Sequence, residues 1–488
     1  MPEAHRAIVI GSGFGGAVAA LRLGEAGVQT LVLERGRHWE TSLSEPVFGN
    51  ELTPTSEMFW QRDFAIWLTM EPTLIERMPG LMEVITAGGI QIGTAACVGG
   101  GSVVYAGVTV QPERRYFEAL FPRGVSYEEL DRVHFPRVRR MLNASYMPND
   151  IYQADPFAHS RAFDSQMKRA GLPTEPIQTT FNWSRVRGEL AGRLRPSSIL
   201  GESSFGNSNG AKHDLTQNYL PAAMATGQVR LCQLTEVTSI STGPGGRGYT
   251  VRVRRHAPDG GVVDSRELTC DMLFVAAGSV NTTRLLVRAR DTGTLPDLNE
   301  HIGTCWGGNG DAFVYRTFDG ATGVSQGAPC ASSFFADEGF GMPIRVENWY
   351  ALAFAGEPYL SQFSVAVDMD NRGTWTYDRV SDQVKMLDWG PEKNLGPESA
   401  AMAVSQTVIG RGMAGPAPVL PPTGGTAHPL GGCPIGRATD LYGRVRGYRH
   451  LYALDGSLVP GNAAGANPSL LIAGLAERAM DEILADGG

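Results

Sequence analysis

The residue most suggestive of chemistry in this sequence lies in a loop rich in glycine and proline. Residues 424–436 read GGTAHPLGGCPIG, which places His428 and Cys433 among residues that favour turns. A histidine in such a loop can bind a metal, pack against backbone, or transfer a proton near neutral pH. No other His, Cys or carboxylate stands at a ligand spacing around His428, so we expect no metal site. Packing and proton transfer remain as its two interpretations.

A second polar residue, Asn467, precedes Pro468 at the start of the strongly amphipathic stretch 467–485. Asn is a favoured N-cap, which gives it a structural interpretation. The start of a helix also carries partial positive charge that stabilises negative charge developing on a nearby group. The structural and the functional interpretations of Asn467 are compatible.

The first 35 residues predict a dinucleotide-binding unit. Residues 7–10 form a short apolar run typical of a buried parallel strand, residues 17–26 fit a helix, and TLVLE fits a second strand that ends in Glu34. The intervening GxGxxG motif permits a tight turn, the approach of a diphosphate and close helix packing, through Gly11, Gly13 and Gly16 respectively. Glu34 can accept hydrogen bonds from ribose hydroxyls and would repel a 2′-phosphate. The unit therefore predicts NAD or FAD.

Four later segments share this α/β character: 97–107, 272–289, 451–461 and 467–485. They predict a Rossmann-type cofactor domain assembled from discontinuous segments, namely residues 1–40, 86–117, 211–299 and 426–488. The intervening residues predict an α+β substrate domain with a largely antiparallel sheet, formed by 41–85, 118–210 and 300–425. In this domain SQFSVAV alternates as a half-buried strand does, RGTWTYD predicts a turn and another strand, and residues 412–425 predict a loop.

Composition excludes several classes of partner. The formal net charge is −8 and no Lys/Arg-rich run occurs, so we expect no nucleic-acid partner. The sequence contains no run of about 18 consecutive apolar residues, so we expect no membrane span. The N-terminus leads directly into a strand without a leader pattern, which favours a cytoplasmic protein. The six scattered cysteines are expected to be reduced thiols.

Together these motifs resemble the glucose–methanol–choline (GMC) flavoprotein oxidoreductases, and most of all their cholesterol oxidase-like branch. The resemblance runs from residue 8 to about residue 480 and rests on GSGFGG, VGGGSVVYAG, LLVRARDTGTLPDLN, HPLGGC, YGRVRGYRHLYALDGSLVPG and NPSLLIAGLAER. It implies FAD, a substrate domain with a six-stranded sheet, and transfer of a hydride from a carbinol carbon to the flavin. It also implies O₂ as the acceptor of the electrons, and His428 and Asn467 as the residues beside the flavin and the substrate hydroxyl.

The same resemblance implies a set of FAD-binding residues. They are Gly11, Gly13, Phe14, Gly16, Glu34, Gly100, Gly101, Ser102, Val237, Ala277, Gly278, Asp455, Gly456, Asn467 and Pro468. Covalent attachment in the family often uses a histidine near the glycine loops. The stretch AACVGGGS contains none, so we expect non-covalent FAD.

Two departures from the family pattern affect the substrate pocket. The branch uses a glutamate a couple of dozen residues before an RGT turn as a proton-moving base. Counting back from Arg372 without a gap gives Asn348, whereas a one-residue shift gives Glu347. Neighbours on a strand point to opposite faces, so only one of them can face the flavin. Tyr105 is the second departure, because the family usually has a small amide at that position.

The expected function is therefore FAD-dependent oxidation of a bulky, mostly apolar secondary alcohol, such as a sterol-like, polyketide or terpenoid compound. His428, Asn467 and Glu347 are the candidate catalytic residues, and Tyr105 and Asn348 the candidate pocket residues. The alternative is a redox-neutral isomerase or cyclase that keeps FAD as a structural or electrostatic element.

Overall fold

The computed structural model describes residues 3–50, 54–65, 67, 72–317, 325–350, 359–412, 419–420 and 424–487. The strands of the three largest sheets and of one hairpin in this part of the chain are, in order, β1 (Glu3–Ile10), β2 (Thr30–Leu33), β3 (Met82–Ala87), β4 (Ile90–Ala95), β5 (Glu175–Pro176), β6 (Val229–Cys232), β7 (Thr235–Thr242), β8 (Tyr249–His256), β9 (Val262–Val275), β10 (Asp311–Thr317), β11 (Ser332–Ala336), β12 (Ile344–Trp349), β13 (Tyr359–Ala366), β14 (Trp375–Asp378), β15 (Gln383–Met386), β16 (Val419–Leu420), β17 (Gly425–Thr426) and β18 (Leu451–Ala453). The helices of seven or more residues are α1 (Phe14–Glu25), α2 (Arg114–Leu120), α3 (Phe135–Met141), α4 (Ala158–Arg169), α5 (Trp183–Leu190), α6 (Tyr219–Ala225), α7 (Ser279–Asp291), α8 (Leu395–Gly412) and α9 (Ser469–Ala485).

The first sheet has seven strands in the order β6-β2-β1-β9-β8-β7, and β18 also pairs with β9. Strands β6, β2, β1, β9 and β18 run parallel, while β7 and β8 form an antiparallel extension. α1 connects β1 to β2 and packs against α6 and α9. The predicted strand–helix–strand unit is confirmed, with β1 beginning at Glu3 and α1 at Phe14. The α/β fold class is confirmed with it.

Two glycines of the GxGxxG motif are required by the packing of the backbone itself. Gly11 has φ of +96°, and a Cβ there would lie 2.2 Å from the carbonyl oxygen of Ala276. A Cβ on Gly16 would lie 2.1 Å from the carbonyl oxygen of Gly11. These two positions let the loop after β1 and the start of α1 lie against the end of β9.

The second sheet has six strands in the antiparallel order β16-β10-β13-β12-β11-β5. Phe313, Phe363 and Glu347 are directly opposed across β10, β13 and β12, so they share one face. The other face packs on α4 and α8. The strand predicted from SQFSVAV is confirmed as part of β13, but its half-buried alternation is wrong. Residues on both faces of β13 are buried, because helices cover one face and the candidate site covers the other.

The third sheet, β17-β4-β3, links regions assigned above to different domains. The sequence-based boundary between residues 85 and 86 falls inside β3, and that between 425 and 426 falls inside β17. The division into two domains stays a prediction.

RGTWTYD does form a strand, β14, but it pairs with β15 in a separate hairpin. Most of the loop predicted at 412–425 lies outside the described residues. Within the described residues, no helix combines the length and apolar character needed to cross a bilayer.

Candidate active site

A cavity of about 790 Å³ lies where the parallel strands of the first sheet end. Its wall includes residues that follow β1, β2, β9 and β18, which is where open α/β sheets bind ligands. The six-stranded sheet contributes Phe313, Trp349 and Phe363 to the same wall. The cavity therefore joins the two sheets that the sequence assigned to cofactor and substrate.

Three helices, α1, α7 and α9, begin at this wall. Their N-cap residues, Gly13, Gly278 and Pro468, all line the cavity. None of the three has a side-chain cap or an acidic residue in its first turn. Free N–H groups and the positive ends of three helix dipoles consequently face one space, which favours an anionic or electron-rich ligand.

Two glycines on the wall leave room for something other than protein. Gly13 has ordinary extended torsions (φ −71°, ψ −168°), and a Cβ there would have Gly100 Cα at 3.9 Å as its nearest neighbour. A Cβ on Gly101 would meet nothing within 4 Å. Neither the backbone nor the packing requires glycine at Gly13 or Gly101. Their bare surface fits the close approach of a dinucleotide diphosphate at the start of α1.

We expect Gly13→Ala to fold normally and to lose bound flavin. Alanine fits the torsions of Gly13 and the space beside Gly100, but its methyl group projects into the part of the cavity where the diphosphate is expected to lie. The measurement is the flavin-to-protein absorbance ratio, with the melting temperature of the apoprotein recorded in parallel. Gly410→Ala is the control, because a Cβ there also meets nothing within 4 Å but lies in α8, away from the cavity. Full flavin content in Gly13→Ala would contradict the expectation that the diphosphate lies against Gly13.

Two buried carboxylates on the wall hold its turns in place. Glu34 accepts hydrogen bonds from the backbone N–H groups of Ser12 (3.0 Å) and Gly36 (2.9 Å). Asp455 accepts from the N–H groups of Gly278 and Ser457, both at 2.8 Å. Burial raises the pKa of both carboxyls, and these donors oppose the rise. Each acid thus joins segments distant in sequence, and each retains lone pairs for a ligand hydroxyl.

His428 has a buried carboxylate behind it. Its ring lies at the cavity wall, with 17% of the side chain exposed, and its Nδ1 lies 2.8 Å from Oδ1 of Asp311, which is 1% exposed. Asp311 opens β10, and Thr426 of β17 holds the other carboxylate oxygen at 2.9 Å. The sequence patterns do not indicate Asp311 as a site residue, because it lies 117 residues from His428 and no motif connects the two.

Asn467 contacts a second buried carboxylate, that of Glu347. Its Nδ2 donates to Oε2 of Glu347 at 3.3 Å, while the remaining oxygen of each side chain is buried without a partner. The side chain of Glu347 is fully buried behind the wall, and this burial raises its pKa to about 7 despite the opposing charge of Arg345. The N-cap interpretation of Asn467 is wrong, because Pro468 occupies the N-cap of α9.

Asn348 faces away from the cavity. Its Oδ1 accepts from the backbone N–H groups of Ala331 (2.7 Å) and Ser332 (2.9 Å), and its Nδ2 donates to Ser160 Oγ (2.9 Å). Of the two neighbours on β12, Glu347 is therefore the one on the cavity side. Asn348 instead fastens β12 to β11 and α4.

Tyr105 presents its ring to the cavity and its hydroxyl to the protein. The hydroxyl donates to the carbonyl oxygen of His213 at 2.8 Å and lies 2.5 Å from Thr180 Oγ1. The ring packs edge-on against Phe14, with centroids 5.6 Å apart. Under this segment, Lys212 Nζ donates to three carbonyl oxygens, including that of Tyr105 at 2.7 Å. Tyr105 thus narrows the cavity without offering it a hydroxyl donor.

An aromatic cluster forms the wall contributed by the six-stranded sheet. Phe363 lies between Phe313 and Trp349, with ring centroids 4.8 and 5.0 Å away. Phe363 also meets the ring of His428 edge-on at 5.5 Å. The surface beside His428 is therefore broad and apolar, and it suits a bulky hydrophobic molecule.

The residues predicted from sequence divide into two groups. Those on the cavity wall are Gly11, Gly13, Phe14, Glu34, Gly100, Gly101, Tyr105, Val237, Ala277, Gly278, His428, Asp455, Gly456, Asn467 and Pro468. Those behind it are Gly16, Ser102, Glu347 and Asn348.

All six cysteines are free, and Cys433 is buried in the core. In the described part of the chain, no cluster of three or more His, Cys, Asp or Glu side chains could hold a metal ion.

Comparisons with known proteins bear on the fold and on the resemblance found in the motifs. Residues 419–476 match the family model described as GMC oxidoreductase. Over 98% of its length, the chain is 24% identical to a cholesterol oxidase from Acinetobacter baumannii, covering 94% of that protein. It is 26% identical to a cholesterol oxidase from Mycobacterium tuberculosis, again over 98% of this chain and 91% of the relative.

A solved structure shares the fold. Pyridoxine 4-oxidase from Mesorbium loti superposes with a TM-score of 0.64 over 99% of both chains at 14% sequence identity. The matched C-terminal segment contains His428, Asp455 and Asn467. The family model, the sequence relatives and the shared fold agree, so the resemblance found in the motifs is confirmed: the C-terminal segment matches the GMC oxidoreductase model, and the chain is similar to the cholesterol oxidases over 98% of its length.

Proposed function

We propose that this protein binds FAD non-covalently and oxidises a bulky, mostly apolar secondary alcohol. GMC oxidoreductases are flavoproteins, and the cradle of Gly13 and Gly101 at the start of α1 suits the diphosphate of FAD. The observation that carries the proposal is the pair His428 and Asn467, which line the same cavity beside the apolar surface of Phe313, Phe363 and Trp349. Sterol-like, polyketide and terpenoid alcohols all have the required chemistry, and O₂ is the proposed final electron acceptor.

In the proposed alcohol oxidation, each group of site residues has a separate role. FAD, when bound, supplies the two-electron acceptor for the hydride of the carbinol carbon. His428 accepts the hydroxyl proton, which its position on the wall permits. Asn467 and the positive end of α9 favour negative charge that develops beside them. The aromatic cluster excludes water and orients the apolar body of the substrate.

The test is anaerobic flavin reduction by a panel of alcohols. We expect secondary alcohols on fused-ring or long apolar skeletons to bleach the flavin, and sugars and short alcohols to leave it oxidised. On admission of air, the bleached enzyme should return to the oxidised form and release hydrogen peroxide. If no alcohol of a broad panel bleaches the flavin, the proposal of alcohol oxidation is lost.

A second candidate, redox-neutral isomerisation or cyclisation, is favoured by one observation. Glu347 is a fully buried carboxyl beside Asn467 with a pKa raised to about 7, so it can exchange protons near neutral pH. This candidate requires isomerised product to form with the flavin oxidised throughout and without an electron acceptor. Turnover that strictly requires an acceptor would reject it.

A further inference from the structure

We propose that Asp311 is a positioning residue that sets His428 as a proton acceptor by fixing which ring nitrogen carries the proton. The inference rests on the proposed alcohol oxidation and deepens it. It assigns a role to a buried carboxylate that no sequence motif marks. The observation behind it is the contact of 2.8 Å between Asp311 Oδ1 and His428 Nδ1.

The orientation of the Asp311 carboxylate is fixed by its other oxygen. Oδ2 accepts a hydrogen bond from the backbone N–H of Ala427 at 3.1 Å, and the hydroxyl of Thr426 lies 2.9 Å from the same atom. Oδ1 is thereby directed at the His428 ring. An ionised carboxylate only accepts hydrogen bonds, so Nδ1 of His428 must carry a proton.

The neighbouring Asn309 also presents a group to Nδ1 of His428, but it does not displace Asp311 as the partner of that atom. Asn309 Oδ1 accepts from Ala463 N at 2.8 Å, and Asn309 Nδ2 donates to the carbonyl oxygen of Ala466 at 3.0 Å. The amide orientation is thus settled by two backbone groups. Nδ2 lies 3.5 Å from His428 Nδ1, too far to compete with the carboxylate at 2.8 Å.

It follows that neutral His428 has its lone pair on Nε2. Within the described residues Nε2 has no hydrogen-bond partner, and the ring lines the cavity. In the proposed step the O–H bond of the alcohol breaks, an N–H bond forms at Nε2, and the hydride of the carbinol carbon leaves for oxidised FAD. The resulting imidazolium is then paired with a carboxylate that is 1% exposed, where charge pairing is strong.

Asp311→Asn tests this role because it changes charge and tautomer while it keeps shape. The single amide oxygen is expected to take the place of Oδ2, where the fixed N–H of Ala427 requires an acceptor. The amide NH₂ then faces Nδ1 of His428 and moves the ring proton to Nε2, which can no longer accept. In the holoenzyme we expect the limiting rate of flavin reduction to fall at least about 100-fold, with the substrate dissociation constant changed less than about threefold.

A second readout does not depend on activity. In the ¹⁵N spectrum of histidine-labelled protein, assigned with His428→Gln, we expect the wild type to carry the proton on Nδ1 and Asp311→Asn to carry it on Nε2. Asp368→Asn is the matched control, since Asp368 is a buried aspartate that accepts from the N–H groups of Asp370 and Asn371, distant from His428 in the sequence.

The outcomes separate this inference from the proposed function. If alcohols bleach both wild type and Asp311→Asn at equal rates, or if the ¹⁵N spectra show the same tautomer in both, the role of Asp311 is rejected while alcohol oxidation stands. If no alcohol bleaches the wild type, alcohol oxidation fails, and the tautomer comparison still decides what Asp311 does to His428. A slow Asp311→Asn variant whose Asp368→Asn control is equally slow would also reject the inference.

Discussion

Replacement of His428 by glutamine is expected to slow flavin reduction by the alcohol about 10³-fold, the mid-range of general-base contributions. Glutamine keeps a polar group at the cavity wall but has no nitrogen that becomes protonated at neutral pH. His428 is the only histidine among the residues that line the described cavity, so no other imidazole replaces it there. The measurement is stopped-flow absorbance of the flavin under anaerobic conditions, at saturating alcohol.

His301→Gln provides the control for this experiment. The His301 side chain is 41% exposed, and its charged neighbour is Glu300 at 3.8 Å. We expect that variant to reduce its flavin at the wild-type rate. Wild-type rates in His428→Gln, with flavin bound normally, would show that the hydroxyl proton leaves by another route.

Local patterns predict well those parts of the site that are continuous in the sequence. The unit from β1 to Glu34 could be found because each residue acts within one strand–turn–helix segment. His428 and Asn467 could be found because each stands in a short motif of the family. Backbone packing around Gly11 and Gly16 also agrees with the roles expected from the motif spacing.

Contacts between distant strands could not be predicted in this way. Asp311 reaches His428 because β10 and β17 place Asp311 and Thr426 side by side, and this requires the tertiary fold. Likewise the choice between Glu347 and Asn348 depends on strand register, and a one-residue slip exchanges the two faces of β12. The aromatic cluster is also assembled across β10, β12 and β13.

The second large effect is expected in stability, from Glu347→Gln. Burial raises the pKa of Glu347 from 4.5 to about 7, so the folded protein holds a proton that the unfolded chain releases between these pH values. The free energy of unfolding therefore falls as pH rises through this window, and the loss is complete above about pH 7. At 1.36 kcal/mol per unit, the shift corresponds to about 3 kcal/mol. Glutamine has no such charge to bury.

We therefore expect Glu347→Gln to melt at a clearly higher temperature than wild type at pH 8.5 and at nearly the same temperature at pH 4.5. Differential scanning calorimetry of both proteins across this range is the measurement. Glu300→Gln is the control, because the Glu300 side chain is 84% exposed, and it should follow wild type at every pH. A pH-independent difference would mean that Glu347→Gln acts through packing or through its contact with Asn467, and that the Glu347 carboxyl does not titrate in this window. That result would also remove the basis for a proton-shuttling role of Glu347, since a group that does not change charge near neutral pH cannot exchange protons there.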